Sequence, residues 1–185
     1  MRIISGIHRG RRLRAPAGEA VRPTPDRVRE SVFNILGQRM DGLAFLDLYA
    51  GTGAMGLEAA SRGAAPVVLV ERDPDACDAI RANISHLGCE GAVTLLCGDV
   101  GECLGELVGA GTGFDVVFAD PPYSEPADAV EALLGELSRG ALVAQQGCVV
   151  LQQRRGRPVA SHPAFEVRRP RHYGITSILM YDRLI

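Results

Sequence analysis

Residues 45–57, FLDLYAGTGAMGL, place an apolar strand, a G-x-G-x-x-G loop and the start of an apolar helix in direct succession. No other stretch constrains the fold as much. A strand that turns on glycines into a helix must lay that helix back on its own sheet. The alternation continues along the chain. Strands are expected at 44–50, 67–72, 92–97, 114–119 and 148–153, and helices after Gly53, from Pro74 to Leu87, near 100–108 and near 126–138. Apolar strands joined by helices imply a parallel sheet covered on both faces, the α/β class. The tail departs from this pattern: AFEVRRP and TSILMYDRL flank RHYGI with no room for a helix, so they are expected to pair antiparallel.

Before the first core strand, residues 2–6 and 11–15 alternate around IHRG and read as a basic hairpin. In RPTPDRVRESVFNILGQRM, Thr24 is placed to cap a helix with Pro25 at its first position. Val28, Val32, Leu36 and Met40 form its buried stripe, with Arg22, Arg27, Arg29 and Glu30 off it. The simplest organisation is an N-terminal extension, 1–40, packed on a catalytic core, 41–185, as one structural unit.

Charge is segregated. Residues 1–39 hold nine Arg and three Asp/Glu, residues 40–149 four and seventeen, and residues 150–185 seven and two, so basic ends flank an acidic middle although the net charge is −2. The arginines interleave with apolar residues in segments that read as folded, which suits a surface facing nucleic acid. No apolar run approaches the ~20 residues of a membrane span, and the N-terminus lacks a signal-peptide core; a cytoplasmic protein is expected. Five cysteines without a C-x-x-C pair read as buried thiols, with no metal site.

The loop glycines Gly51, Gly53 and Gly56 carry little information alone, because nicotinamide enzymes use the same turn. Two acids add to it. Asp47 ends the strand before the loop, and Glu71 ends the next strand, placed to accept hydrogen bonds from both hydroxyls of a ribose. A pyrophosphate requires a neutral or positive approach, whereas the ammonium and sulfonium of S-adenosylmethionine tolerate Asp47. Asp99, after the third strand, is placed to meet an adenine amine or to cap the next helix. With Tyr49, Arg72 and Val100 beside these acids, the cofactor-binding candidates are complete.

FADPPY, residues 118–123, stiffens the chain where the fourth strand ends. An exocyclic amine of a base is a poor nucleophile because its lone pair is delocalised into the ring. The Asp120 carboxylate and the Pro121 carbonyl, aimed at its hydrogens, would favour the pyramidal nitrogen that attacks a sulfonium methyl. Tyr123 would stack on the base. Carbon methylation of pyrimidines calls for a cysteine nucleophile, and no cysteine occupies a comparable strand-end loop.

RIISGIHRGRRL, RPTPDRVRESVFNIL, LDLYAGTGAMGLEAASRG and DPPY, closed by HYGITSILMYDRL, together resemble the bacterial 16S rRNA (guanine-N2)-methyltransferases, the RsmD-like family of class I S-adenosylmethionine-dependent enzymes. The resemblance spans nearly the whole chain. It implies a Rossmann-like, mostly parallel seven-stranded sheet whose last strand is inserted antiparallel. It also implies S-adenosylmethionine as cofactor and, as substrate, one guanine N2 of 16S rRNA in an assembled or assembling small subunit, with the enzyme a monomer. Arg9, Arg11, Arg12, Arg22, Thr24, Arg27 and Tyr173 are the candidates for contacting that RNA. VVLQQRR departs from the pattern, since similar proteins often carry an acid where this chain has Gln152 and Gln153. Competing readings are an amino-directed DNA methyltransferase, an RNA-binding module without activity and a nicotinamide-dependent reductase. The first usually carries a sizeable recognition insertion, the second has no need of intact Gly51, Gly53, Glu71 and Asp120, and the third is disfavoured by Asp47.

Overall fold

The expected alternation of strand and helix is present. A computed structural model describes residues 1–16, 26–122, 126 and 128–184. In chain order it contains α1 (Asp26–Leu36), β1 (Phe45–Leu48), α2 (Ala54–Ser61), β2 (Val67–Glu71), α3 (Pro74–Leu87), β3 (Val93–Cys97) and α4 (Val100–Gly109). These are followed by β4 (Phe114–Ala119), α5 (Ala129–Arg139), β5 (Val143–Arg154), β6 (Phe165–Val167), β7 (Arg171–Tyr173) and β8 (Thr176–Arg183).

One sheet runs β3-β2-β1-β4-β5-β8-β6, with β7 also paired to β8. β1 to β5 are parallel, and β8 lies antiparallel between β5 and the edge. The edge explains why eight strands occupy seven places. β6 pairs with Tyr181–Arg183 and β7 with Thr176–Ile178, so the two are halves of one edge strand. The break falls at Pro170, which has no N–H to donate to the ladder.

Pleating sorts the core into two layers. Phe45, Leu69, Phe118 and Val150 pack on the face covered by α1, α2 and α3, and Leu46, Val70, Val117 and Val149 on the face covered by α4 and α5. α3 has the ends its sequence announces: Asp73 accepts from the Ala76 N–H at 2.9 Å, and Gly88 closes the helix in the left-handed region.

All eight residues of α2 are buried, because the N-terminal segment covers its outer side. The Glu58 carboxylate accepts the N–H groups of Ile4 and Ser5 at 2.7 and 2.9 Å, while Arg62 donates to it through Nε and Nη2 at 2.9 and 2.8 Å. The Arg62 guanidinium also stacks over the Phe33 ring of α1, 4.5 Å from its centroid. Hairpin, α1 and α2 are therefore joined by one buried ionic cluster.

Three local expectations are corrected. The hairpin is no two-stranded ladder: an Arg2–Arg12 bridge and a few cross bonds hold it, and at its tip the N–H groups of Ile7 and His8 donate to Ser61 instead. Met40 is buried but lies beyond α1, which ends at Leu36. Arg29 was expected off the buried stripe, yet it is fully buried, donating through Nη2 to the Arg2 carbonyl at 2.7 Å and to Asp26 at 3.1 Å. Burial lowers its pKa, with Asp26 and Glu58 opposing. The expected cap Thr24 and first-turn Pro25 lie outside the described residues.

Candidate active site

β1 and β4 are neighbours at the centre of the sheet, while the helices that follow β1 and β4 cover opposite faces. Strand order reverses between them, and open α/β sheets bind ligands at the carboxyl ends of strands at such a point. Asp47, Glu71 and Asp120 all stand on that edge.

The glycine loop is built from β1 toward α2. Gly51 and Gly53 have φ of 57° and 74°, and Gly53 caps α2 from the left-handed region. Tyr49 also has positive φ, 59°, a costly conformation for a side chain of its size. Gly56 is required by packing: a Cβ there would stand 2.1 Å from the Leu69 side chain, so α2 can approach β2 only without one.

Two of the acids shape the loop. Asp47 is buried and accepts the Gly56 N–H at 2.8 Å, tying the first turn of α2 to β1 from beneath. Its pKa is raised well above the ordinary carboxylate value by burial, opposed by the Gly56 N–H and reinforced by the nearby charges of Asp120 and Glu71. Glu71 accepts the N–H of Gly51 at 2.7 Å through one oxygen and those of Arg72 and Asp73 at 2.9 Å through the other. Its carboxylate is thereby oriented between the loop and the β2–α3 turn. Asp99 caps α4, accepting from the Gly101 N–H at 3.0 Å; it is exposed, whereas Val100 beside it is buried. Arg72 is exposed and Tyr49 half-buried.

Asp120 is half-buried at the end of β4, followed by buried Pro121. Gln152 on β5 donates its Nε2 to Asp120 Oδ2 at 2.6 Å. Gln152 is 5% exposed, and its Oε1 is buried without a hydrogen-bond partner. A lone buried acceptor costs free energy, and the amide keeps this orientation because a carboxylate needs a donor. Sequence reasoning noted Gln152 only as a departure; the signal available was a polar pair continuing an apolar strand. Gln153 donates instead to the carbonyls of Arg157 and Pro158, closing the turn after β5.

The described RNA candidates stand on three elements, the hairpin, α1 and β7. Arg9 and Arg12 are exposed on the hairpin, and Arg11 donates to the Leu87 carbonyl at the end of α3. The hairpin lies along α2: its tip docks at Ser61, about 12 Å from the glycine loop along an eight-residue helix, while at its base Thr52 of that loop donates to Met1 Sδ and Asn83 donates to the Arg14 and Thr52 carbonyls. Arg27 is exposed on α1, and Tyr173 is half-buried against the core on β7. Arg22, Thr24 and Tyr123 lie outside the described residues. Among the described residues no cluster of His, Cys, Asp or Glu could hold a metal, and no helix is long and apolar enough to cross a membrane. All five cysteines are free thiols; four are buried as expected, but Cys97 is exposed at the end of β3, where the next backbone step leaves the sheet.

Residues 1–182 match the family described as Conserved hypothetical protein 95. A Bacillus subtilis protein named "Putative rRNA methyltransferase YlbH" is 34% identical over 99% of both chains. The Escherichia coli K12 protein named "Ribosomal RNA small subunit methyltransferase D" is 39% identical over 66% of this chain and 60% of its own length. Among solved structures, one described as "Putative methyltransferase yhhF from Escherichia coli" superposes with a TM-score of 0.85 at 31% identity, covering 100% of this chain and 98% of that one.

Proposed function

We propose, since this chain belongs to the Conserved hypothetical protein 95 family, that it is an S-adenosylmethionine-dependent methyltransferase acting on the exocyclic N2 of a guanine in small-subunit rRNA. The observation that carries the amine-directed reading is Asp120, held by Gln152 at the carboxyl end of β4 beside the glycine loop. The rRNA reading rests on the names its relatives bear. Guanine N2 rests on the motifs quoted above.

The residues around the loop suit the cofactor. Glu71, already oriented by three backbone donors, is the acid for the ribose hydroxyls. Asp47 and Glu71, on either side of the glycine loop, give a negative field to a ligand carrying an ammonium and a sulfonium. Asp99, capping α4 from an exposed position, leaves the Val100 N–H region for the adenine. When bound, S-adenosylmethionine supplies an electrophilic methyl group.

The chain's own part is to prepare the amine. Gln152 donates to Oδ2 of Asp120 and so holds the carboxylate at the strand end, where it is to accept hydrogens of the incoming amine. The Pro121 carbonyl is fixed by its ring and by the next proline, so the second acceptor is in place without reorganisation. Two acceptors on the N–H groups localise the nitrogen lone pair for attack, and Asp120 takes the proton that the methylated nitrogen releases.

Asp120→Ala should keep cofactor affinity and lower the single-turnover methylation rate at least about a hundredfold, the scale for one preorganised acceptor. Gln152→Leu should lower that rate about tenfold with the same cofactor affinity, because Asp120 remains but loses the Gln152 donor. Melting curves and single-turnover assays on one preparation of each variant check both. A folded, fully active Asp120→Ala protein would sink the mechanism.

A further inference from the structure

The register of the sheet carries one row of side chains away from the catalytic aspartate. Ala119 pairs with Leu151, so Asp120 stands level with Gln152, Gln152 pairs with Ile178, and Ile178 pairs with Arg171. Phe118, Val150, Ile178 and Met180 all pack in the layer beneath α1 to α3, so this row belongs to that face. It spans three strand spacings, about 14 Å.

At its far end lies a cleft of about 430 Å³, within the range of ligand pockets of ~300–1,000 Å³. Ile35 of α1 with Ile178 and Met180 of β8 make an apolar floor, and the wall is Arg168, Arg169 and Arg171 on the broken edge strand. Arg168 is committed: its fork binds both oxygens of Asp182 at 2.6 and 2.8 Å. Arg169 and Arg171 are exposed, and neither is ion-paired among the described residues. The acids of this edge, Glu166 and Asp182, lie toward the opposite end of the strands. Arg154 and Arg155, exposed where β5 ends, extend the positive rim on the catalytic side.

We propose that this cleft receives the RNA strand next to the target nucleotide, with Arg169 and Arg171 on its phosphates and the Ile35–Ile178–Met180 floor against a neighbouring base. The assignment rests on the rRNA reading above. Breaking the edge strand at Pro170 serves it, since a continuous strand would direct the Arg169 backbone into the ladder. An apolar floor beside unpaired guanidinium groups is the combination that single-stranded RNA engages, through base faces and phosphates together. The row to Asp120 supplies the direction: from Asp120 the sheet runs through the buried Gln152 and Ile178 to Arg171, so the cleft opens about 14 Å to one side of the base presented to Asp120.

The test is the binding of a 16S rRNA transcript to wild type and to Arg169→Ala/Arg171→Ala, titrated between about 50 and 200 mM salt, the range where phosphate contacts register. Two lost contacts should flatten the log–log salt slope by about 1.4, at roughly 0.7 per single-strand phosphate. Cofactor affinity and melting temperature should be unchanged, since both side chains are exposed. A double variant with the wild-type slope, beside a wild type that binds and methylates the transcript or isolated small subunits, would overturn the cleft alone. A wild type that neither binds nor methylates either substrate would overturn the rRNA reading and the cleft with it.

Discussion

Asp47 illustrates how one residue is read differently before and after its partners are known. Its place at the end of an apolar strand marked it as a ligand-facing acid, and its burial against the Gly56 N–H makes it also the tie between β1 and α2. That tie is costly while charged. A carboxyl whose folded pKa is raised favours the folded state when protonated; the contribution is full below the unfolded value, near 4, and is lost as pH rises through the folded value. The Asp47 pKa is raised by burial and by the charges of Asp120 and Glu71 against the Gly56 N–H. Asp47→Asn keeps a carbonyl for Gly56 and removes the charge. Its melting temperature should therefore exceed that of wild type by a few degrees at neutral pH, with the difference closing on acidification. Cofactor affinity should fall, because the field that favours the ammonium and sulfonium is weakened. Melting temperature against pH for both proteins, and calorimetric titration of S-adenosylmethionine, check the two halves. An Asp47→Asn protein less stable than wild type at neutral pH would mean that the Gly56 bond needs the ionised acid. Gln152 is the complementary case: nothing in its local sequence places it 2.6 Å from Asp120, which is 32 positions away.

Elements whose determinants are local were legible, and those set by distant partners were not. The caps of α3 and the glycine turn follow from residues within a few positions of each other. The insertion of β8 beside β5 was expected only through family resemblance, because strand order is a long-range property. Arg29 shows the limit from the other side: its helical spacing predicted exposure, but the Arg2 carbonyl and Asp26 make burial possible. The splitting of the edge strand needed both Pro170, visible in the sequence, and the register to β8, which was not. The N-terminal hairpin is held less by its own pairing than by Glu58, which joins it to α2 and Arg62. Glu58→Ala would leave the buried Arg62 guanidinium and two backbone donors without their acceptor. Removing one partner of a buried pair costs about 3–5 kcal/mol, which lowers the melting temperature by roughly 6–20 °C for a chain of this size. The hairpin arginines should also become cleavable by trypsin faster than those of the core. A Glu58→Ala protein with unchanged melting and tryptic pattern would show that the hairpin is held by its own bonds.

The molecule as a whole distributes its charge by place, and net charge conceals this. With a formal charge of −2 the protein should be indifferent to a polyanion at long range, yet its basic ends fold onto two separate regions. Arg9 rides near the tip of a hairpin docked at the far end of α2 and Arg12 nearer its base, where Met1 meets Thr52 of the glycine loop, whereas Arg154, Arg155, Arg169 and Arg171 stand around the sheet edge that carries Asp120 and its neighbouring cleft. The sequence disclosed that the ends are basic; only the fold shows that the two groups serve different distances from Asp120. Charges at the periphery of a binding surface act mainly on the rate of encounter, while groups in contact with the ligand act on its release. Arg9→Ala should therefore slow association with a 16S rRNA transcript about twofold at low salt and leave dissociation near the wild-type rate. Raising the salt beyond the point where the screening length falls below about 8 Å should erase the difference, because the effect operates through solvent. The single-turnover rate at saturating RNA should be unchanged, since Arg9 does not lie on the edge that carries Asp120. Stopped-flow association and competitor-chase dissociation, run on the same RNA across the salt series, separate the two rates. If the variant instead dissociates faster at every salt concentration, the hairpin tip touches the bound RNA, and the substrate must then reach from the edge that carries Asp120 along α2 to Ser61.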